Sequence, residues 1–187
     1  SMNLIVISEL FPPEETSTAY IMGEITKTLS DKYNVTIVCG PEVYDQNKLT
    51  VLPKSSLIAG VTTIRVKGIK ENKANKLSRI RKFLLMSWRL YKASKKVINK
   101  GDKVLLVSNP FPLLILMAFH RKKMDYEISF LAHDLFPEPL LMRFKLPNLV
   151  YRQCLNIFNR SYARMDKIIS LGRDMTDVLR EKTMPYN

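Results

Sequence analysis

Short runs rich in valine, isoleucine and leucine alternate along the chain with longer segments whose apolar residues recur at helical spacing. The short runs are typical of buried strands, and the longer segments are typical of amphipathic helices. Because helices separate most of the strands, the pattern predicts a Rossmann-like α/β fold, with a doubly wound, mainly parallel sheet and helices on both faces. The six predicted strands cover residues 3–8, 35–39, 61–66, 103–107, 126–132 and 167–171.

Each predicted helix follows a turn that contains polar residues or proline. The helices are expected at residues 19–30, 73–100, 112–121 and 149–164, with a last one reaching about residue 182. Residues 44–59 are predicted to form a loop. Thr16, Ser17 or Thr18 is expected to cap the first helix. In the fourth helix, the residues expected to be buried include Ile157, Phe158 and Tyr162.

The segment from Lys73 to Lys100 contains no acidic residue. On a helical projection, one stripe is predicted to face the core: Leu77, Ile80, Leu84, Trp88, Tyr91 and Ile98. The opposite side is basic and has Leu85 exposed among its charges. Two interpretations remain open, a core helix with a solvated basic back and a helix that lies on anionic lipid headgroups. In the second, the membrane-facing residues are Arg81, Lys82, Arg89, Lys92 and Lys96.

A formal charge of +13 favours an anionic partner, which could be nucleic acid, an acidic membrane surface or a phosphate-bearing substrate. The alternative is a basic surface that serves only solubility. Nucleic acid is not expected as a partner, because no recognition motif accompanies the charge and aromatic residues are not interleaved as a stacking platform.

The length is sufficient for one domain with a sizeable core. No apolar run is long enough to span a membrane, and the longest, at residues 111–119, is interrupted by Pro112. Cys39 and Cys154 lie far apart without metal-type spacing and are expected to be reduced residues of a cytosolic protein. Ser1 is typical of a residue left after tag removal, so Met2 is expected to be the native start.

The strand at residues 126–132 ends in two adjacent titratable residues, His133 and Asp134, and Glu138 follows a proline shortly afterwards. Ligands of a parallel sheet bind outside the carboxyl ends of its strands, so this pair is expected to face a cleft. The alternative is a structural pair in which Asp134 caps the next helix. At the same edge, the start of the first helix offers free N–H groups suited to a phosphate or to sugar hydroxyls.

Several familiar site motifs are absent from the sequence. No G-x-G-x-x-G follows the first strand, so a dinucleotide cofactor is not expected, and neither a Walker-type phosphate loop nor a G-x-S-x-G elbow is present. The histidines and acids show no metal-ligand spacing, so no metal site and no bound cofactor are expected. His120, at the basic end of a helix, is expected to be exposed.

Four ordered segments resemble the N-terminal half of GT-B fold glycosyltransferases. The similarity is to glycosyltransferase family four, in particular the bacterial enzymes that build capsule, O-antigen lipopolysaccharide or exopolysaccharide repeats. The segments are MNLIVISELFPPE at residues 2–14, DKYNVTIVCGP at 31–41, HDLFPE at 133–138 and IISLGRDM at 168–175. Each segment alone is a weak signal, whereas the ordered set spans nearly the whole chain.

The resemblance implies transfer of a sugar from a nucleotide-sugar donor to a lipid-linked or saccharide acceptor. It makes residues 1–187 the acceptor-binding domain, with the donor held by a second domain outside this chain. His133 and Asp134 would then be the catalytic residues that border the cleft, and one of them would contact the transferring sugar or the acceptor hydroxyl. Arg173 would lie on the donor side. The acceptor-binding positions implied in the same way are Pro13, Glu14, Thr16, Ser17, Thr18, Asn109 and Glu138.

The chain departs from the family pattern in the loop after the first strand. A glycine pair is usual there, but residues 16–19 are Thr-Ser-Thr-Ala, whose side chains would crowd a diphosphate. Because the donor domain and its paired glutamates are absent, this chain alone is expected to be inactive. The alternative function is a non-catalytic subunit that recruits a separate catalytic chain to the membrane. The expected location is the cytoplasm, peripheral at the inner face of the plasma membrane.

Overall fold

The computed structural model describes residues 2–12, 17–41, 50–52, 60–70, 72, 74–107, 112–132 and 146–170. Within these ranges, seven strands form one sheet. They are β1 (Asn3–Ser8), β2 (Asn34–Cys39), β3 (Thr50–Leu52), β4 (Val61–Arg65), β5 (Lys103–Val107), β6 (Glu127–Ala132) and β7 (Lys167–Ser170). The helices are α1 (Ser17–Leu29), α2 (Lys76–Val97), α3 (Pro112–Lys123) and α4 (Asn148–Ala163). The helix predicted near residue 182 lies outside the described residues.

The strands follow the order β3-β4-β2-β1-β5-β6-β7, and all neighbours are parallel except β3, which is antiparallel to β4. β1 lies at the centre, and accordingly it is buried from Leu4 to Ser8. The Rossmann-like, mainly parallel sheet is therefore confirmed. All six predicted strands are present, but a seventh, β3, lies within the segment that was predicted to be a loop. Its three residues are too few to show a strand pattern.

Helices cover both faces of the sheet, as the sequence pattern predicted. On one face, Ile21 and Met22 of α1 pack against apolar residues of the central strands. On the other face, α2, α3 and α4 form a layer whose core residues include Leu90, Met117 and Phe158. None of the helices in the described part of the chain is both long enough and apolar enough to cross a membrane.

The long basic helix α2 packs on the sheet through a different face from the predicted one. Leu77, Leu84 and Trp88 are 74%, 56% and 49% exposed, so much of the predicted core stripe lies on the solvent side. Of that stripe, Tyr91 and Ile98 do pack against the core. The buried residues of the helix are Met86, Ser87, Leu90 and Ser94.

Two buried serines explain why the hydrophobic pattern predicted the wrong buried face of α2. Ser87 Oγ donates to the carbonyl of Phe83 at 2.7 Å, and Ser94 Oγ donates to that of Leu90 at 2.6 Å. A hydroxyl satisfied inside its own helix can be buried without leaving an unpaired donor. Leu85, which was predicted to be exposed, is half-buried against the core as a consequence.

The ends of α2 and the burial of α4 also differ from the predictions. Asn75 caps α2 by accepting a hydrogen bond from the N–H of Leu77 at 3.0 Å, so the helix begins three residues after the predicted start. In α4, Phe158 is buried and Tyr162 is partly buried, as predicted. Ile157, however, is 45% exposed, because it lies on the outer side of the helix.

Candidate functional site

The carboxyl ends of the parallel strands meet at one edge of the sheet. Strand register aligns Ser8 of β1 with Cys39 of β2, and Cys39 with Arg65 of β4. On the other side of β1, β5 ends at Val107 and β6 ends at Ala132. The connections that leave this edge carry most of the predicted site residues. In folds of this type, ligands bind in the crevice outside this edge.

The start of the connection between β1 and α1 is firmly fixed to the edge. Phe11 is fully buried in the core beneath α1. Ser8 Oγ donates to the carbonyl of Leu10 at 2.7 Å, which turns the chain directly after the strand. The N–H of Gly40 donates to the carbonyl of Glu9 at 2.9 Å, so the end of β2 also holds this segment.

Arg65, the last residue of β4, binds the segments that follow two other strands, β2 and β1. Its side chain is buried, with 3% of the residue exposed, although it carries a charge. Nη1 donates to the carbonyl of Gly40 at 2.9 Å, and Nη2 donates to the carbonyl of Pro12. A guanidinium presents several donors in a fixed plane, which suits it to bind two carbonyls at once. The last residue of β4 thus fixes the chain after β2 and the chain after β1.

Two glycines allow the close approach of these segments. A Cβ on Gly40 would lie 2.6 Å from the carbonyl oxygen of Glu9, and a Cβ on Gly23 would lie 2.8 Å from Cγ of Pro12. Both distances are well below a normal van der Waals contact. The connection after β1 therefore rests against β2 and α1 at points where any larger residue would displace it.

The predicted catalytic pair lies outside the described residues, as do most of the predicted acceptor-binding residues. This applies to His133, Asp134, Pro13, Glu14, Thr16, Asn109, Glu138 and Arg173. Ser17 and Thr18 form the first turn of α1, at the end of the connection that Arg65 holds. β6 ends at Ala132, immediately before the catalytic pair in sequence. The roles of these residues remain predictions.

The residues predicted to face a membrane lie on more than one side of α2. Arg81, Lys92 and Lys96 are exposed. Lys82 is half-buried, and Arg89 turns toward the protein, where Nη1 donates to the carbonyls of Lys67 and Gly68 at 3.0 Å each.

His120 is buried, so the prediction that it would be exposed was wrong. Its Nδ1 lies 3.0 Å from the hydroxyl of Tyr126, and its ring contacts Tyr91 edge-on. Burial, together with the charges of Lys95 and Lys123, lowers the pKa of His120. Burial also raises the pKa of Tyr126. The His120 side chain is therefore neutral at neutral pH. Its burial against Tyr126 and Tyr91 indicates a structural role.

Asp166 is a further structural group at the opposite, amino edge of the sheet. Burial alone would raise its pKa, but a hydrogen bond from the N–H of Ile128 at 2.7 Å and the Arg121 guanidinium at 3.3 Å lower it overall. Among the described residues, the shifted pKa values are those of Asp166 at this edge and of His120 and Tyr126 nearby. They do not mark the carboxyl edge where ligands are expected.

Sequence reasoning missed Arg65 as a residue of the candidate site. The only signal was an arginine within a run of valine, threonine and isoleucine, where a charge is expected to be paired if it is buried. Its partners are backbone carbonyls that lie 25 and 53 residues away in sequence. No local pattern could have identified them.

No known family profile matches this chain. A probable glycosyltransferase, WbjE of Pseudomonas aeruginosa, is 24% identical over 184 residues, a match that covers 96% of this chain and 44% of that protein.

Two solved structures have a similar fold. One is an α,α-trehalose-phosphate synthase (UDP-forming) from Burkholderia vietnamiensis, with a TM-score of 0.55, 12% identity and coverage of 97% of this chain and 42% of that one. The other is the trehalose-6-phosphate protein of E. coli bound with UDP-2-fluoro glucose, with a TM-score of 0.56, 14% identity and coverage of 96% and 42%. The chain spans less than half the length of each of these relatives. It is a homologue of a probable glycosyltransferase, and its Rossmann-like fold is similar to that of GT-B glycosyltransferases.

Proposed function

We propose that this chain is the acceptor-side domain of a family-four, hexosyltransferase-type glycosyltransferase. The complete enzyme would move a sugar from a nucleotide-sugar donor to a lipid-linked or saccharide acceptor in bacterial surface polysaccharide synthesis. The similarity to WbjE carries this proposal, because it extends along 96% of the chain, whereas a fold alone supports many unrelated functions. The UDP-2-fluoro glucose bound by one structural neighbour supports a nucleotide-sugar donor.

The geometry of the carboxyl edge supports the acceptor role. Arg65, Gly40 and Phe11 fix the start of the connection between β1 and α1, so the part of the site formed by this connection begins at a rigid point. Substrate positioning by rigid elements is a large part of the rate enhancement of a two-substrate transfer. In this proposal, His133 or Asp134 contacts the transferring sugar or the acceptor hydroxyl. The donor binds to a domain outside these 187 residues.

A lipid-linked acceptor requires the enzyme to work at a membrane surface. We therefore also propose that the protein is cytoplasmic and peripheral at the inner face of the plasma membrane. The charge of +13 supports this location, because the cytoplasmic leaflet is anionic.

The test is the turnover of the native protein that contains this chain. Sugar transfer from a panel of UDP-sugars to a lipid-diphosphate-linked acceptor should fall by about 10²-fold or more in His133→Ala or Asp134→Ala, if either residue transfers a proton or orients the substrate. Asp31→Ala is the matched control, because Asp31 is exposed in the turn after α1. Wild-type turnover in both site variants, with the fold intact, would defeat the assignment. Turnover that requires a second chain would favour a non-catalytic subunit.

A further inference from the structure

One surface of the protein is strongly basic and also exposes several large apolar side chains. It is the outer side of the layer that α2, α3 and α4 form on one face of the sheet. The three helices contain no acidic residue, and they carry thirteen lysines and arginines, eight in α2, three in α3 and two in α4. An ordinary solvated helix surface mixes both signs of charge, so this composition requires an explanation.

A single exposed stripe runs along α2 and contains three apolar and three basic residues. Its members recur every three or four positions, and all are exposed: Leu77, Arg81, Leu84, Trp88, Lys92 and Lys95. At 1.5 Å per residue the stripe extends for about 27 Å, so it can lie flat on a surface but is confined to one side of the helix. The stripe faces outward because Ser87 and Ser94 are buried on the opposite side of the helix.

The neighbouring helices add exposed apolar residues to this layer. Trp88 contacts Tyr91, and Tyr91 contacts His120 of α3, with ring centroids 5.6 Å and 6.0 Å apart. Phe119, next in sequence, is 53% exposed and lies beneath the cations of Lys122 and Arg164, at 5.8 Å and 5.7 Å from its ring centroid. On α4, the exposed apolar residues are Leu149, Val150 and Ile157.

We propose that this three-helix surface binds an anionic lipid bilayer, with the α2 stripe lying in the headgroup region. Leucine and tryptophan side chains bury their apolar surface below the headgroups, and the interleaved lysines and arginines bind lipid phosphates and carboxylates. Tryptophan in particular favours this interfacial depth. This inference rests on the proposed function, which gives the protein a reason to bind a membrane. It names the surface through which such an enzyme reaches a lipid-linked acceptor.

The charge of the surface argues against the other occupants. A second copy of the chain would bring two strongly basic faces together, which is repulsive. Nucleic acid would bind the cations but would gain little from exposed leucines, because its backbone offers no apolar phase. A bilayer with acidic headgroups is the partner that uses both kinds of residue in the stripe.

Trp88 provides the assay, because it is the only tryptophan in the chain. Addition of phosphatidylglycerol-containing vesicles should shift its emission to shorter wavelength, and lipids brominated near the headgroup should quench it. Vesicles of phosphatidylcholine alone should do neither. Absence of both the shift and the quenching with anionic vesicles would overturn the proposal.

Matched pairs of variants test whether vesicle binding depends on this surface or only on the overall positive charge of the protein. Lys92→Glu with Lys95→Glu should weaken the vesicle partition coefficient by about 30-fold or more, whereas Lys27→Glu with Lys32→Glu, on the α1 side, should change it far less. Leu77→Ser with Leu84→Ser should weaken it by about tenfold and retain the fluorescent reporter. Equal effects of the two charge reversals, or no effect of the leucine variant, would contradict the assignment.

The remaining outcomes also decide the proposal. Tight binding of duplex nucleic acid that depends on the stripe leucines, or a dimer in sedimentation that the leucine variant abolishes, would each identify a different occupant. Vesicle binding is measured without donor or acceptor. If the protein does not transfer a sugar, the vesicle-binding result is therefore still valid. If it does not bind vesicles, transfer to a water-soluble acceptor analogue is still expected.

Discussion

Replacement of Arg65 by methionine tests whether a buried guanidinium holds the candidate site together. Methionine fills a similar volume but removes the hydrogen bonds to the carbonyls of Gly40 and Pro12. A hydrogen bond from a charged donor contributes about 1.5–3 kcal/mol, and the apolar replacement recovers part of this loss. We expect the free energy of unfolding to fall by about 3 kcal/mol, which lowers Tm by about 6–12 °C in a domain of this size.

The assay is urea denaturation of the chain, followed by circular dichroism and by Trp88 fluorescence. Arg65→Lys should lose about half as much as Arg65→Met, because one ammonium cannot reach both carbonyls in the same geometry. Arg89→Met is the matched control, since Arg89 also donates to two backbone carbonyls but is only half-buried. Water can replace its hydrogen bonds, so we expect a loss below about 1 kcal/mol.

A local measurement shows whether the effect of Arg65 reaches the candidate site. Amide hydrogen exchange at Gly40, whose N–H is bonded to Glu9, should be faster in Arg65→Met even under conditions where the protein stays folded. If Arg65→Met is as stable as the wild type, the cost of burying the guanidinium equals the strength of its hydrogen bonds, and our reasoning is refuted.

Three further predictions concern other parts of the fold. Gly40→Ala should destabilise the protein by about 1–3 kcal/mol in thermal unfolding, because the new Cβ would lie 2.6 Å from a backbone carbonyl; an unchanged Tm would contradict this. Since the pKa of His120 is lowered in the folded state, the unfolded chain gains this proton first as the pH falls through about 6.5, so stability should fall on acidification. His120→Gln should flatten that slope, and an unchanged slope in this variant would contradict the prediction. Ser94→Leu should cost about 1–3 kcal/mol by overpacking, whereas Lys95→Leu should be near neutral, and the opposite order would contradict the observed face of α2.

Six of the strands were predictable because each is a short run rich in β-branched and other apolar residues in a parallel sheet. β5, for example, was predicted at its observed bounds. β3 was missed, because an edge strand of three residues has no periodicity and pairs only through its antiparallel register with β4.

The face of α2 and the burial of His120 could not be read from residue type. Ser87 and Ser94 are buried because their hydroxyls are bonded within the helix, and His120 is buried because Tyr126 supplies a partner. Hydrophobicity scales treat such residues as polar whatever their partners. The hydrogen bonds that bury Arg65 are likewise long-range, and they appear only once the sheet is formed.

The central claim is that this chain holds the acceptor side of a sugar transfer. Isothermal titration calorimetry on the 187-residue chain, with a lipid-diphosphate-linked saccharide in detergent and separately with UDP-glucose, tests it most directly. We predict saturable binding of the acceptor that weakens in Asp134→Ala, and no measurable binding of the nucleotide-sugar. Saturable binding of UDP-glucose without binding of the acceptor would assign this chain to the donor side and contradict the account.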